Sequence, residues 1–351
     1  MQYFSRSVAL ASTTALIVLV GGLSFAQSTA EAPKGPPGQD SQDATIRVDV
    51  DLVNILFTVK AKKGGQLIPN LEKNNFSISE DGKPQSIQRF SRETDLPLTL
   101  GLLIDVSASQ ERLIDTEREA ASTFFSSVLR KKDEAFLISF GKSTDLLQDF
   151  TNSANRLTSA MRDLQGDGQT PMMRGNPVPV NTGPVPTIGA PKGTLLYDAV
   201  YLASDEKLKT EVGRKALILI TDGEDQGSTY NIKTAIEQAQ KADAIIYSIY
   251  YVDRAFYSRG GFSFGGGGGE GELRKLSEET GGKVFTVSSK HPLKEVFDQI
   301  QEELRNQYSI GYSSTNPKKD GTFRRIEIKT DNPDYRVQAR NGYYATPVDT
   351  R

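Results

Sequence analysis

What most constrains the fold is the stretch Leu98 to Ser109, L-T-L-G-L-L-I-D-V-S-A-S, an apolar run that stops at an acid. A short run rich in Leu and Ile with no polar alternation fits a parallel strand covered on both faces. Past Ser109 the period changes. Leu113, Ala120, Ala121, Phe124, Val128 and Leu129 recur at helical spacing with charges between, which predicts a helix from Gln110 onward. Asp105, Ser107 and Ser109 therefore fall in a strand-to-helix turn, and in an open parallel sheet such turns line the ligand crevice. Asp and Ser also cap helices, because their oxygens accept the free N–H groups of a first turn. D-x-S-x-S alone leaves both readings open.

Two further stretches bring oxygen to the ends of elements. Arg214 to Asp225, R-K-A-L-I-L-I-T-D-G-E-D, reads as a second buried strand over Ala216 to Ile220 that ends in Thr221, Asp222 and Gly223. Lys192 to Val200, K-G-T-L-L-Y-D-A-V, opens a helix at Gly193 and Thr194. Asp105, Ser107, Ser109, Thr194 and Asp222 together offer two carboxylates and three hydroxyls with no His or Cys. Hard oxygen donors of this kind suit Mg²⁺, Mn²⁺ or Ca²⁺.

This combination resembles the metal-ion-dependent adhesion site of von Willebrand factor type A domains, over roughly Leu96 to Leu304. The resemblance implies that Ser107, Ser109 and Thr194 touch one divalent cation, Mg²⁺ before Mn²⁺ or Ca²⁺, through their hydroxyls. It implies that Asp105 and Asp222 bind it largely through water, which leaves the cation open to a protein partner's Asp or Glu. One departure is Lys192-Gly193-Thr194, where many relatives have two glycines. Thr170, in G-D-G-Q-T-P, is a competing donor, but it is followed by Pro171 rather than a helix.

At 351 residues and 37% hydrophobic content the chain can bury a sizeable core and carry two domains. The net charge of -2 comes from balanced signs, which gives no nucleic-acid stripe. Met1 to Ala26 carries one basic residue, Arg6, an apolar segment from Val8 to Leu23 and the small-residue exit Ser24-Phe25-Ala26, the pattern of a secretory signal. The absence of cysteine rules out disulfides and cysteine lipidation, so the expectation after cleavage is a secreted or periplasmic protein with no stable membrane anchor.

Residues 27–44, with Gly35-Pro36-Pro37-Gly38, read as a disordered linker. Residues 45–93 alternate as strands: Ile46, Val48, Val50 and Leu52, then after a slip near Val53, Ile55, Phe57 and Val59, with turns at Gly64-Gly65 and Asp81-Gly82. Residues 306–346 alternate again at Tyr308, Ile310 and Tyr312, at Phe323, Ile326 and Ile328, and at Tyr335, Val337 and Ala339. Between them strands and helices alternate over 96–304, with a helix from Leu273 and another from Leu293. The expected fold is α/β: a doubly wound, mostly parallel sheet inserted in a small β-sandwich built from the N- and C-terminal segments.

Two irregular stretches adjoin the expected site. One runs from Gln165 to Lys192 with Met172 and Met173; the other runs from Arg259 to Gly271 with Phe262, Phe264 and five glycines from Gly265. They read either as neutral insertions or as apolar contact area around the cation. The single histidine, His291, precedes Pro292 at a helix start and reads as structural. Glu224, Asp225 and Asp253 read as solvated loop acids. No phosphate-binding loop of the G-x-x-x-x-G-K-S/T kind appears, and the Gly-rich stretch lacks the G-x-G-x-x-G placement between a first strand and its helix that dinucleotide binding needs. Three functions remain: a non-enzymatic cation-dependent binding module, a structural scaffold stabilised by its cation, and a metal-assisted phosphoester hydrolase.

Overall fold

The computed structural model describes residues 52–92, 96–166, 193–253 and 268–345. The signal and linker segments, the alternating residues Ile46, Val48 and Val50, and Thr170, Met172, Met173, Phe262 and Phe264 lie outside them.

The N-terminal segment gives β1 (Val53–Ala61), β2 (Phe76–Glu80), β3 (Lys83–Gln85) and β4 (Arg89–Arg92). Asp81 and Gly82 both take positive φ, 48° and 78°, as a two-residue hairpin between β2 and β3 requires. The insert follows, with β5 (Leu98–Asp105), α1 (Ile114–Val128), β6 (Glu134–Phe140), β7 (Thr144–Thr151) and α2 (Ala154–Arg162). Next come α3 (Leu196–Leu202), continued by a π-helical turn over Ala203–Leu208, then β8 (Arg214–Thr221), α4 (Ile232–Lys241) and β9 (Ala244–Tyr250). The insert ends with α5 (Gly268–Thr280), β10 (Val284–Thr286) and α6 (Leu293–Arg305). The C-terminal segment gives β11 (Tyr308–Tyr312), β12 (Phe323–Thr330), β13 (Tyr335–Ala339) and β14 (Gly342–Tyr344).

The insert is a three-layer α/β unit. Its sheet runs in the order β10-β9-β8-β5-β6-β7, parallel except for the antiparallel edge strand β7. Every residue of β5 and β8 is buried. One face packs Leu100, Leu102 and Ile104 against α1, α2 and α6; the other packs Leu103, Leu217 and Leu219 against α3, α4 and α5. Gly101 matters for this packing, since a Cβ there would lie 2.4 Å from the Phe136 ring and 2.6 Å from the Leu217 side chain. From β5 the chain passes through α1 to β6 on one side, and from β8 through α4 to β9 on the other. The carboxyl ends of β5 and β8 thus flank a topological switch point, where ligands of open α/β sheets bind.

The two terminal segments interleave in two antiparallel sheets, ordered β13-β1-β11-β4 and β14-β12-β2-β3. Ile55, Phe57, Val59, Tyr308, Ile310 and Tyr312 of the first meet Phe76, Ile78, Ile326 and Ile328 of the second in one core. This is the sandwich expected from the alternation, with two strands of each segment holding two of the other.

Three local expectations need correction. The helix after Ser109 begins at Ile114 rather than Gln110, because residues 107–113 are spent in turns in which the Gln110 and Leu113 N–H groups bond the Ser107 and Gln110 carbonyls. The helix expected from Leu273 begins at Gly268, and the bare backbone of Gly269 lets its first turn abut the Asp222–Gly223 turn. In β12 the inward positions are Arg324, Ile326 and Ile328, so Phe323 faces out at 39% exposure. Arg324 is tolerated inside because it meets Glu80, Ser314 and the Asn316 carbonyl.

Phe57 ties the two terminal segments together. It is 1% exposed, stacks on Tyr308 at 5.4 Å and meets Phe76 edge-on at 5.1 Å. Phe57→Ala should cost about 3–5 kcal/mol in denaturant unfolding. A loss below about 1 kcal/mol, as for a typical surface substitution, would contradict this packing.

Candidate metal centre

Parallel register places the ends of β5 and β8 side by side. Ile104 pairs with Ile220, so Asp105 and Thr221 follow as neighbours on adjacent strands. Asp105 is fully buried, and its two oxygens are held differently: Oδ1 accepts the Ser107 N–H at 2.9 Å, and Oδ2 accepts the Thr221 hydroxyl at 2.6 Å. The Thr221 oxygen in turn accepts the Gly223 N–H at 3.0 Å. The strand-end carboxylate therefore organises both turns.

The hydroxyls gather above it. Ser107 Oγ and Ser109 Oγ are 3.0 Å apart, and Ser109 Oγ donates to Asp222 Oδ2 at 2.6 Å. Asp222 is 3% exposed, and its Oδ1 accepts the Glu224 N–H at 3.2 Å. The serines do not cap α1. Its N-cap is Leu113, with no side-chain bond, which leaves Ser107 and Ser109 to each other and to Asp222.

Thr194 stands at the same rim, 6% exposed, in the turn that leads into α3. Gly193 N–H bonds the Gln226 carbonyl at 2.7 Å, Gln226 N–H bonds the Thr194 carbonyl at 2.8 Å, and Leu195 N–H bonds the Gly141 carbonyl at 3.0 Å. Those partners follow β8 and β6, so the third hydroxyl-bearing turn is pinned across the ends of the strands flanking β5. A Cβ on Gly193 would come within 2.7 Å of the Gln226 side chain, so the bare backbone permits this pairing.

The donor set can be tested against a cation. Adjacent oxygens around an octahedral Mg²⁺ with ~2.1 Å bonds lie about 3 Å apart, the scale of the Ser107–Ser109 and Ser109–Asp222 separations. Among the described residues no three His, Cys, Asp or Glu side chains converge. The centre would instead rely on hydroxyls supported by two acids. Burial, and after it the charge of Asp222, pushes Asp105 up to about 7. A divalent cation supplies the opposite charge that two such carboxylates require. The residues fit the ion.

Several details escape a reading of the sequence. Thr221 is one, although the apolar strand before it and the parallel register would have paired it with Asp105. The meeting of Gly223 and Gly269 is another. Gly223, at φ 80°, lies so close to the start of α5 that a Cβ there would be 2.5 Å from the Gly269 carbonyl, and a Cβ on Gly269 would be 2.1 Å from the Asp222 carbonyl. Asp225 is committed to Ser228 and the Tyr197 N–H, and Asp253 lies 3.7 Å from Arg112. His291 is exposed, beyond β10, with Nδ1 3.4 Å from Glu295.

Residues 190–299 match the family model of the von Willebrand factor type A domain, a span that includes Thr194 and Asp222. Over those residues the α/β unit of this chain resembles a von Willebrand factor type A domain. No curated protein sequence matches the chain. Among solved structures it is similar to proximal thread matrix protein 1 from the mussel byssus, at 15% identity over 62% of this chain and 48% of that one, with a TM-score of 0.43. The chain thus spans about half the length of the mussel protein, which has also been solved with a zinc-occupied metal-ion-dependent adhesion motif. A von Willebrand factor type A protein from Catenulispora acidiphila matches at 12% identity over 79% of this chain and 75% of that one, TM-score 0.44. BatB from Bacteroides thetaiotaomicron matches at 15% identity over 59% and 97%, TM-score 0.41.

A raised carboxyl makes the metal-free fold pH-dependent. With its folded value near 7 and its unfolded value near 3.8, Asp105 binds more protons folded than unfolded across that window. Its contribution to stability is therefore present below the unfolded value and is lost as pH rises toward 7. In chelator, the melting temperature should fall from pH 5 to pH 8, and Asp105→Asn should flatten that slope. A slope equally steep in Asp105→Asn would exclude Asp105 as its source.

Proposed function

We propose that this chain is a non-enzymatic, divalent-cation-dependent protein-binding module that captures a partner's Asp or Glu at the rim of the α/β unit. The observation that carries the reading is the Ser107–Ser109–Asp222 oxygen cluster on top of buried Asp105. Ser107, Ser109 and Thr194 would hold the cation by their hydroxyls, and Asp105 and Asp222 would balance its charge from behind. Hydroxyls neutralise little of a divalent charge, so the ion keeps its appetite for an anionic ligand. Mg²⁺ suits the set best, with Mn²⁺ and Ca²⁺ as alternatives.

The chain outside the described residues adds context. The segment 167–192, with Met172 and Met173, ends next to Gly193 and Thr194. The segment 254–267, with Phe262 and Phe264, joins Asp253 to the helix start that abuts Asp222. The described residues that follow these two segments, Gly193 and Gly269, lie at the rim, and this supports the reading of Met172, Met173, Phe262 and Phe264 as apolar contact area around the ion. The signal-like Met1 to Ala26 supports export to the periplasm or medium, where millimolar divalent ions would fill a weak oxygen-only site. Among the described residues no helix is long and apolar enough to cross a membrane.

The test is capture of an acidic polypeptide by the immobilised chain. In Mg²⁺ the chain should retain it, and chelator or Ser109→Ala should weaken retention at least about tenfold, the usual effect of losing a metal-site group. Retention indifferent to both would refute the reading. A Ser109→Ala protein that captures normally but melts earlier would assign the cation to holding the fold, as a scaffold requires.

A further inference from the structure

The strongest unexplained feature lies on the α1 side of the metal centre. Glu117, in the first turn of α1, is fully buried, and neither carboxylate oxygen has a hydrogen-bond partner. Gln110, the residue after Ser109, is also fully buried, with both its amide oxygen and its amide nitrogen unbonded. Groups of this kind are rare in folded proteins, because each forfeits its hydration without replacement.

Among the described residues no cation compensates Glu117. Arg118 is turned to Asp115 and to the carbonyls of Met161 and Leu164, and Arg112 faces Asp253. The groups within its electrostatic reach are Asp105 at the end of β5 and Tyr251 just past β9. Burial first, and then the Asp105 charge, pushes Glu117 well above the usual carboxylate range. A helix position facing a hydrophobic core would ordinarily carry an apolar residue, as Ala120, Ala121 and Phe124 do over the next two turns. An acid kept here without a partner is explained if its partner arrives with the cation.

We propose that Glu117 is a third acid of the cation centre, a positioning residue whose charge holds the ion from the α1 side at a remove, without ligating it. The inference rests on the cation-binding reading above. Its distance from direct ligation follows from the absence of any convergent trio of acids among the described residues. Three carboxylates, Asp105, Asp222 and Glu117, then surround a divalent ion with three hydroxyls. The third acid raises the affinity of a centre whose direct ligands are weak.

The experiment is calorimetric titration of Mg²⁺ into the full chain, paired with melting in chelator, for the unaltered protein, Glu117→Gln and Glu117→Leu. Removing an unpaired buried acid should leave melting in chelator unchanged or raise it, most in Glu117→Leu. Mg²⁺ affinity should fall in both variants by about 10–100-fold, the range found when groups just outside a metal's ligand shell are removed. Wild-type affinity in Glu117→Gln overturns the proposal. So does a lower melting temperature in chelator with affinity unchanged, which would make Glu117 a purely structural acid. If the unaltered chain takes up neither Mg²⁺, Mn²⁺ nor Ca²⁺, the cation reading itself falls and this inference with it, an outcome visible before any variant is compared.

Discussion

The hydrogen bond from Thr221 to Asp105 joins the ends of two adjacent parallel strands, and the arrangement of the site follows from it. It exists because Leu98–Asp105 and Arg214–Thr221 are buried along their whole length and so can run only as neighbouring central strands. Their connections then leave in opposite directions, and the turns that open at the switch point carry Ser107, Ser109 and Asp222 into contact. A fold-level constraint thus becomes a chemical one: Asp105 bonds Thr221 and the Ser107 backbone, and Ser107, Ser109 and Asp222 follow one another at hydrogen-bond distance, although Asp105 and Asp222 are far apart in sequence.

The β-sandwich contributes to that rigidity from the other end of the sheet. Glu303, buried near the end of α6, receives Lys60 of β1 and Lys283 before β10, each at 2.7 Å, and Gln338 of β13 at 3.3 Å. Arg214, at the start of β8, bonds the carbonyls of Leu96 and Leu304 at the two ends of the insert. Burial lowers Lys60 to about 8 against the opposing pull of Glu303. The entry and exit of the α/β unit are therefore fastened together beside the sandwich, while the carboxyl ends of the central strands are left to the oxygen cluster.

Much of this was legible in the sequence because the signals were periodic. The uninterrupted apolar runs at Leu98 and Ala216 gave the central strands, and the alternation at Ile55, Phe57 and Val59 and at Tyr308, Ile310 and Tyr312 gave a sandwich shared by both termini. What was hidden depends on contacts between distant residues. The delayed start of α1 could not be read because residues 110–113 have helical composition but are drawn into turns by the serine cluster. Gly268 and Gly269 read as part of a loose glycine run, whereas they open a helix that presses on Asp222. Arg324 looked like an outward position until Glu80 and Ser314 supplied its partners across the sheet. Glu117 looked like one more charged residue on an amphipathic helix, and only its place beside the core reveals that it has none of the partners a surface charge would have.

In the proposed centre, five side chains from three separate stretches hold a single divalent ion at the switch point. Crystals of the chain grown with Mn²⁺ and measured at the manganese absorption edge test it most directly. One strong anomalous peak is expected, in contact with the hydroxyls of Ser107, Ser109 and Thr194 and near Asp105 and Asp222. A peak elsewhere on the protein, or none at millimolar Mn²⁺, would contradict it.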